Sequence, residues 1–391
     1  MSEMKKLAPV ALATGISIIG LGTVIPILPF YAKSMDADAF TAALVFSTFS
    51  AAAFFSTPFW GSLSDKIGRK PVMLLSALCT VIAYLWLAHA SVLWEIFASR
   101  AFAGFTAGWL ATSQAFVADV TLQENRAKGM GMLGAAFGIG FTIGPGLGAW
   151  SVGSIDNPDF TTPAYIAAAM AALSLIVALI FVKEPERHRD ITARMPMRRV
   201  LKDGVLARLL AVYFAVSLMF TAIEGTFAFW AADKFGLGPR DVGLYLVFAG
   251  VVTAIVQGGI GRIVRKRGEA KVVLLGVGFL FLSFLIMTQI TGENGIYFVM
   301  GALALAMGLH NPAMQSLFSR LASAQNQGGV MGAAQAATAL ARVPGPAWAG
   351  FVFAHFGADM PYYVGAVVLF FLIFAVLIVT RQATKRIEEA G

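Results

Sequence analysis

Residues 61–71 read Gly61-Ser62-Leu63-Ser64-Asp65-Lys66-Ile67-Gly68-Arg69-Lys70-Pro71. The stretch holds one carboxylate, three cations and two glycines. On either side, residues 41–60 and 72–94 contain no Asp, Glu, Lys or Arg. A charged turn between two such apolar runs cannot lie within hydrocarbon, so it marks where two membrane helices meet water. The rest of the chain reads as repetitions of that hairpin.

Of the 391 residues, 58% are hydrophobic and 13% are charged. A water-soluble domain carries about 25% charged residues, so the composition is that of a membrane protein. The net charge of +8 admits nucleic acid as a partner on sign alone. Cations retained beside the membrane on the cytoplasmic side explain it better, and no nucleic-acid partner is expected. The single cysteine, Cys79, lies in an apolar run, which excludes an intrachain disulfide. The first apolar run follows Lys5 and Lys6, exceeds the length of a signal-peptide core and reads as a retained span.

Apolar segments of about 20 residues, enough to cross a bilayer, fall at 9–32, 41–61, 72–90, 93–118, 129–152, 162–182, 206–232, 241–261, 272–290, 295–318, 328–353 and 361–380. The expected fold is therefore all-α and polytopic, with twelve transmembrane helices. The long charged segment 183–205 divides them into two six-helix bundles, 1–182 and 206–391. With the N-terminus inside, cytoplasmic flanks and loops hold 24 of the 29 Lys and Arg. The positive-inside rule thus puts both termini in the cytoplasm.

A repeat is visible at an offset of 200: Gly61, Lys66 and Gly68 meet Gly261, Lys266 and Gly268. Gly144-Pro145 and Gly345-Pro346 stand 201 apart in the fifth and eleventh spans. Two landmarks at one offset argue for a duplicated six-helix unit. Paired bundles with a site between them are the architecture of alternating access.

Individual residues carry further expectations. Gly61 and Gly68 read as positions where a Cβ would block a helix contact or a turn. Asp65 can accept helix N-terminal amides, and Arg69 and Lys70 can meet that carboxylate or lipid phosphates. In the second copy Arg265 and Glu269 replace Asp65 and Arg69, so any charge network there has the opposite polarity and is expected to be weaker or absent. Glu224, in the outer half of span seven, is costly as an isolated ion and must be paired, wet or protonated, which suits a proton carrier. Arg100 lies about 9 Å inside span four at 1.5 Å per residue, where snorkelling outward is one explanation. Arg342, deeper in span eleven, faces a cavity, a water path or a partner: it attracts an anionic substrate or neutralises Glu224. Gly140, Gly144, Pro145 and Gly148 predict close packing and a bend in span five, and Gly345 and Pro346 the same in span eleven. For a substrate cavity the polar residues Gln114, Gln257, Gln289, Asn311, Gln315 and Gln335 and the aromatics Phe137, Phe227 and Trp230 qualify. Each also serves as an interhelix contact, and Asn311-Pro312 reads equally as a break in span ten. The four histidines lack metal-ligand spacing, no nucleophile–base pair is visible and no P-loop occurs, so neither an enzyme, a metal site nor an ATP-driven pump is expected.

The 61–71 turn resembles the loop between helices two and three of the major facilitator superfamily, G-x-L-(A/S)-D-x-x-G-R-(K/R). Arg100-Ala-Phe-Ala-Gly104 and Gly140-Phe-Thr-Ile-Gly144-Pro145-Gly-Leu-Gly148 resemble its fourth- and fifth-helix signatures. Gly20-Leu-Gly-Thr-Val-Ile-Pro26 resembles the first helix of the twelve-span drug–proton antiporters, and Asp119 and Arg126 the helix 4–5 junction of tetracycline-type exporters. The resemblance implies that the turn is a cytoplasmic latch closing against helix eleven, with Asp119 and Arg126 as its partners. It also implies that Arg100 faces inward and takes part in proton coupling. The expected function is proton-coupled export of amphipathic or lipophilic compounds, multidrug- or tetracycline-like, or carriage of a metabolite or lipid, including an anion. The expected partners are the small-molecule substrate, protons and membrane lipids. No cofactor is implied beyond the coupling proton, and a monomer in a bacterial inner membrane is expected. The carboxylates this branch often places in helix one are missing from residues 9–32, which shifts the expected proton site to Glu224.

Overall fold

The computed structural model describes residues 3–122, 125–153, 157–185, 197–322 and 326–390, with the backbone alone at 126, 127, 197–199 and 390. Among the described residues are sixteen α-helices and one isolated antiparallel bridge between Gly153 and Pro158. The first eight are α1 (Glu3–Val24), α2 (Leu28–Lys33), α3 (Ala39–Ile67), α4 (Arg69–Ala88), α5 (Leu93–Phe105), α6 (Trp109–Val120), α7 (Arg126–Ser151) and α8 (Thr161–Phe181). There follow α9 (Met197–Lys202), α10 (Gly204–Phe235), α11 (Pro239–Arg267), α12 (Glu269–Gln289), α13 (Gly295–Leu321), α14 (Gln327–Ala341), α15 (Pro344–Phe356) and α16 (Met360–Ala390).

Ten segments, with α1 and α2 taken together, are long and apolar enough to cross a membrane. They coincide with ten of the twelve expected spans. The other two, 93–118 and 328–353, are each built from two helices in series, α5 with α6 and α14 with α15. Each piece alone falls short of a bilayer's width. The chain is a multi-pass membrane protein.

Breaking a helix frees backbone carbonyls, which hydrocarbon will not solvate. Neighbouring side chains meet them here. At the α5–α6 break, Trp60 Nε1 donates to the Phe105 carbonyl at 2.6 Å, Ser56 Oγ to Gly104 at 3.1 Å and Ser76 Oγ to Thr106 at 2.6 Å. Gly108 lets the Trp60 ring in, since a Cβ there would lie 2.7 Å from the ring's Cγ. Trp60→Phe keeps most of the ring and removes one donor. It should cost about 1–3 kcal/mol, the usual penalty for one orphaned buried group, seen as a lower unfolding midpoint in detergent. An unchanged midpoint would mean another donor serves Phe105. At the second break Pro344 opens α15, and Thr221 Oγ1 of α10 donates to the Ala341 carbonyl at 3.3 Å. Span ten, by contrast, is not broken: α13 runs through Asn311 and Pro312. Gly276 of α12 admits this stretch so closely that a Cβ would lie 2.8 Å from His310 Cβ, and that packing keeps the turn helical.

The repeat is visible in the backbone. Gly68 separates α3 from α4 at φ 115°, and Gly268 separates α11 from α12 at φ 76°. Both occupy the left-handed side that side chains avoid, so each turn depends on its glycine.

The chain forms two compact units, Met1–Arg189 with Ala231–Gly250, and Asp190–Trp230 with Val251–Gly391. In the first, Leu7, Val10, Met73, Ala77, Phe116, Val117, Leu133 and Ala178 make a core where α1, α4, α6, α7 and α8 meet. Trp109 Nε1 donates to Thr14 Oγ1 at 3.0 Å within it. The segment Ala231–Gly250 packs on α7 through small residues: a Cβ on Gly250 would meet Thr142 Cα at 3.0 Å, and one on Gly146 would meet Val247 at 3.1 Å. In the second unit, Trp230, Phe284 and Tyr362 are fully buried and in ring contact at 5.8–6.0 Å.

Acidic side chains start several helices. Asp38 accepts the Thr41 amide at 2.8 Å, and Asp203 accepts those of Val205 at 3.1 Å and Leu206 at 3.2 Å. Asp203 also takes Arg386 Nη1 of α16 at 2.6 Å. The Arg386 hydrogen bond, with the two amides, holds its carboxyl below the usual range. A depressed carboxylate gives stability that is present above its unfolded-state pKa of about 3.9 and is lost as pH falls through the lower folded value. Protection from hydrogen exchange in the 381–389 backbone, relative to the intrinsic rate at each pH, should therefore fall below about pH 4 and already be lowered at neutral pH in Asp203→Asn. Equal protection in the variant and the parent would show that apolar packing alone holds α16 there.

Candidate functional site

Two polar clusters stand out, one at the charged turn in the first unit and one within the second unit. At the turn, α3 ends and α4 begins at Gly68, leaving the first amides of α4 without helical acceptors. Glu184, just past α8, fills that role: its carboxylate accepts the Arg69 and Lys70 amides, each at 2.7 Å. Asp65, expected to take those amides, instead accepts Arg69 Nη1 at 2.6 Å. The correction follows from reach, because Asp65 sits one turn before Arg69 on the preceding helix while Glu184 approaches α4 end-on. Arg69 also gives Nη1 to Ser64 Oγ at 2.6 Å and Nε to Asp119 at 2.7 Å. Its side chain is only 12% exposed, so α3, α4 and α6 share one half-buried guanidinium. Lys70 Nζ donates to the Leu179 carbonyl near the end of α8 at 2.8 Å. Gly68 is required twice: by its φ, and because a Cβ would lie 2.8 Å from Glu184 Oε1. Gly61 is not: nothing lies within 4 Å of where its Cβ would be. It faces open space from inside α3, so the expected steric block is absent. Arg126 opens α7, and its side chain lies outside the described residues.

The second copy holds a network as well. Glu269 accepts Arg320 Nη1 at 2.9 and 3.0 Å and Ser316 Oγ at 3.1 Å. The cation of the first unit has become the anion of the second, and the reverse, at corresponding positions. The sequence predicts a weaker or absent second network; the network is present, and with Glu269 on a 52% exposed Arg320, against Asp65 and Asp119 on a 12% exposed Arg69, it is the lesser of the two.

Within the second unit, close packing of α10 against α14 and α15 sets the other cluster. A Cβ on Gly345 would meet the Leu218 carbonyl at 3.1 Å, and one on Gly225 would meet Pro346 Cβ at 2.6 Å. This contact brings Glu224 of α10 beside Arg342 at the helix break, with Oε1 and Nη1 3.9 Å apart. That is an ion pair without a hydrogen bond, and it is open: the Arg342 side chain is 47% exposed, that of Glu224 20%. About three turns back along α10, the Tyr213 hydroxyl donates to Asn311 Oδ1 at 3.5 Å. Tyr213 was not expected from sequence; a tyrosine in an apolar run carries no polar signal. His310 is buried 5.7 Å from the Tyr213 ring, with no hydrogen-bond partner at either ring nitrogen.

The other expected residues fall elsewhere. Phe227 and Trp230 are 3% and 0% exposed. Trp230 gives its indole N–H to Asp359 at 2.7 Å. They fill the second unit's own core rather than line a pocket, because such large apolar surfaces gain most where water and ligand are excluded. Gln257, Gln289 and Gln335 are exposed on α11, α12 and α14, and Gln289 bonds Thr288 Oγ1 at 3.2 Å. Gln114 and Phe137 are half-buried in the first unit, Phe137 stacked on Phe141 at 5.1 Å. Arg100 does face inward, 2% exposed, with its guanidinium 5.1 Å from the Tyr84 ring centre and Nε and Nη2 without hydrogen-bond partners. Snorkelling is thereby excluded. Gly140, Gly144 and Gly148 form the face of α7 on which α1 lies: a Cβ on Gly140 would meet Gly15 O at 2.8 Å and one on Gly144 the Ile19 carbonyl at 2.6 Å. Pro145 reaches Gly22 across the same seam, and α7 continues through it. No group of three or more potential metal ligands occurs among the described residues.

Similar proteins bear on this arrangement. Tetracycline resistance protein class C of Escherichia coli is 28% identical over 341 residues, 84% of each chain. Multidrug resistance protein 2 of Bacillus subtilis is 27% identical over 350 residues, 86% of each chain. The human organic anion transporter MFSD10 has the same fold, with a TM-score of 0.75 over 96% of this chain and 100% of its own, at 24% identity. The family model described as Major Facilitator Superfamily matches residues 10–346. Glycine turns 200 residues apart, each with a charge network, lie within that match, and the chain belongs to the Major Facilitator Superfamily.

Proposed function

We propose that this protein is a proton-coupled secondary exporter of amphipathic or lipophilic small molecules that works by alternating access. The observation that carries the reading is the open, hydrogen-bond-free pair of Glu224 and Arg342 in membrane-spanning helices. The carboxylate is partly exposed and shares no hydrogen bond with its counter-ion, so water reaches it and no hydrogen bond is broken when the two part. The relatives named for tetracycline and multidrug resistance support the direction of transport. Arg100 acts with Glu224 in coupling, and the Arg69 network is the cytoplasmic latch. The protein acts as a monomer in a bacterial inner membrane, with both termini in the cytoplasm. An organic anion as substrate is a second reading, favoured by the half-exposed Arg342 and by the likeness to an organic anion transporter.

The test is uptake into vesicles containing the purified protein, with a pH gradient imposed in either direction and dyes, antibiotics, lipids and amphipathic anions offered. At least one compound should accumulate against its gradient, and collapsing the pH difference should release it. Accumulation that survives collapse, or none with any compound, removes the proposal.

A further inference from the structure

We propose that the charged turn between α11 and α12 binds an anionic phospholipid, with the headgroup phosphate on Arg262, Arg265 and Lys266 and an acyl chain along the α11 face that leads to them. The inference rests on the membrane-spanning fold and not on the export reading.

The two glycine turns differ in charge balance. At the first, Lys66, Arg69 and Lys70 stand with three carboxylates, Asp65, Asp119 and Glu184, which hold the Arg69 guanidinium and the α4 amides. At the second, Arg262, Arg265, Lys266, Arg267 and Lys271 fall within residues 262–271, and all five are exposed. The one carboxylate in that stretch, Glu269, is taken by Arg320. Among the described residues, none of the five cations is in an ion pair.

Helix stability does not account for the cluster. Cations in the last turn of α11 complement its dipole. Lys271, however, sits in the first turn of α12, the end that disfavours a cation. Arg262 lies three and four residues before Arg265 and Lys266, and like charges at those spacings destabilise a helix. The anion that relieves this repulsion comes from outside the chain.

Helical phase selects the kind of anion. At 3.6 residues per turn, Val251, Ala254, Ile255, Arg262, Arg265 and Lys266 share one face of α11. Val251, Ala254 and Ile255 are exposed, and α11 is the least buried of the ten membrane-crossing segments. From Val251 to Arg262 is about 16 Å at 1.5 Å per residue, and half the hydrocarbon core of a bilayer is about 15 Å. The apolar face is therefore one leaflet deep and ends where the cations begin. A free phosphate or an acidic peptide engages the cations and leaves that face unused, whereas an anionic phospholipid engages both.

The test uses the purified full-length protein in detergent, with bound molecules counted by native mass spectrometry. The probes are dioleoyl-phosphatidylglycerol, dioleoyl-phosphatidylcholine, the chain-free headgroup glycerophosphoglycerol and a polyglutamate peptide. The parent should hold phosphatidylglycerol at least about tenfold more tightly than phosphatidylcholine, and neither soluble probe should displace it. Replacing three cations in Arg262→Gln, Arg265→Gln and Lys266→Gln together should weaken phosphatidylglycerol at least about thirtyfold, at roughly fivefold per cation. Removing the same charge from exposed lysines elsewhere, in Lys5→Gln, Lys6→Gln and Lys202→Gln together, should weaken it less than about threefold, because charges beyond a Debye length are screened. Equal retention of the two lipids by the parent, displacement of phosphatidylglycerol by either soluble probe, or equal losses in the two triple variants would overturn the proposal. The comparison of lipids on the parent needs no variant, so a triple variant that fails to fold does not shield the proposal.

Discussion

Glu224→Gln should abolish uphill transport and leave exchange of labelled for unlabelled substrate intact. The side chain keeps its size and loses its proton exchange, so the alternating motion continues while its link to the pH gradient is cut. The expected fall in gradient-driven accumulation is at least about a hundredfold, because an uncoupled carrier only equilibrates its substrate. Counterflow should stay within about threefold of the parent, since no hydrogen bond is lost at a 3.9 Å pair. Unchanged uphill transport would move the coupling to Arg100 or to another group. Loss of both uphill transport and counterflow would make Glu224 a structural partner of Arg342 and nothing more.

The second large effect is expected at Arg69. Three carboxylates converge on the turn: Asp65 and Asp119 on the guanidinium, Glu184 on the neighbouring amides. Removing the cation in Arg69→Ala leaves Asp65 and Asp119 close together and part-buried without a counter-charge. Breaking one side of such a pair is worth about 3–5 kcal/mol when buried and less when partly wet. Transport should fall more than about tenfold with substrate affinity unchanged, because the defect lies in closing the turn and not in the second unit's polar cluster. Neutralising both carboxylates as well, in Arg69→Ala with Asp65→Asn and Asp119→Asn, should restore part of the rate. No recovery in the triple variant would show that Arg69 acts through a contact other than these two.

These expectations also show where sequence reading reached and where it stopped. Long apolar runs, their charged turns and the 200-residue repeat were legible because each is a matter of composition along the chain. The two Gly turns at 68 and 268 were legible for the same reason. Which side chains meet was not. Asp65 and Glu184 are both acids at helix ends, and only the approach of α8 to α4 decides that Glu184 takes the amides. Trp230 and Phe227 looked like pocket aromatics, yet helical phase turned them into the second unit's core. Glu224 and Arg342 stood out as charges in apolar spans, but their pairing depends on Gly225 and Pro346 coming into contact across 120 residues of sequence. Tyr213 and His310 gave no signal beyond apolar neighbours. Long-range packing chose them.

The inverted pair at Glu269 and Arg320 follows the same logic. The sequence of the second copy suggests a weaker or absent network, because Arg265 and Glu269 reverse the signs of Asp65 and Arg69. Coulombic attraction is indifferent to which helix carries the cation. The geometry of the turn was conserved between the two units, and the chemistry was exchanged across it.

Coupling between substrate and proton is the central claim, and the most direct measurement uses no imposed pH gradient. Vesicles containing the protein and a pH-sensitive dye are loaded with a transported compound and diluted into substrate-free medium. An antiporter draws protons inward as substrate leaves, whichever way it is inserted, so luminal pH should fall in step with efflux and should not fall with Glu224→Gln. Substrate leaving at constant luminal pH, or with luminal pH rising, would contradict the account.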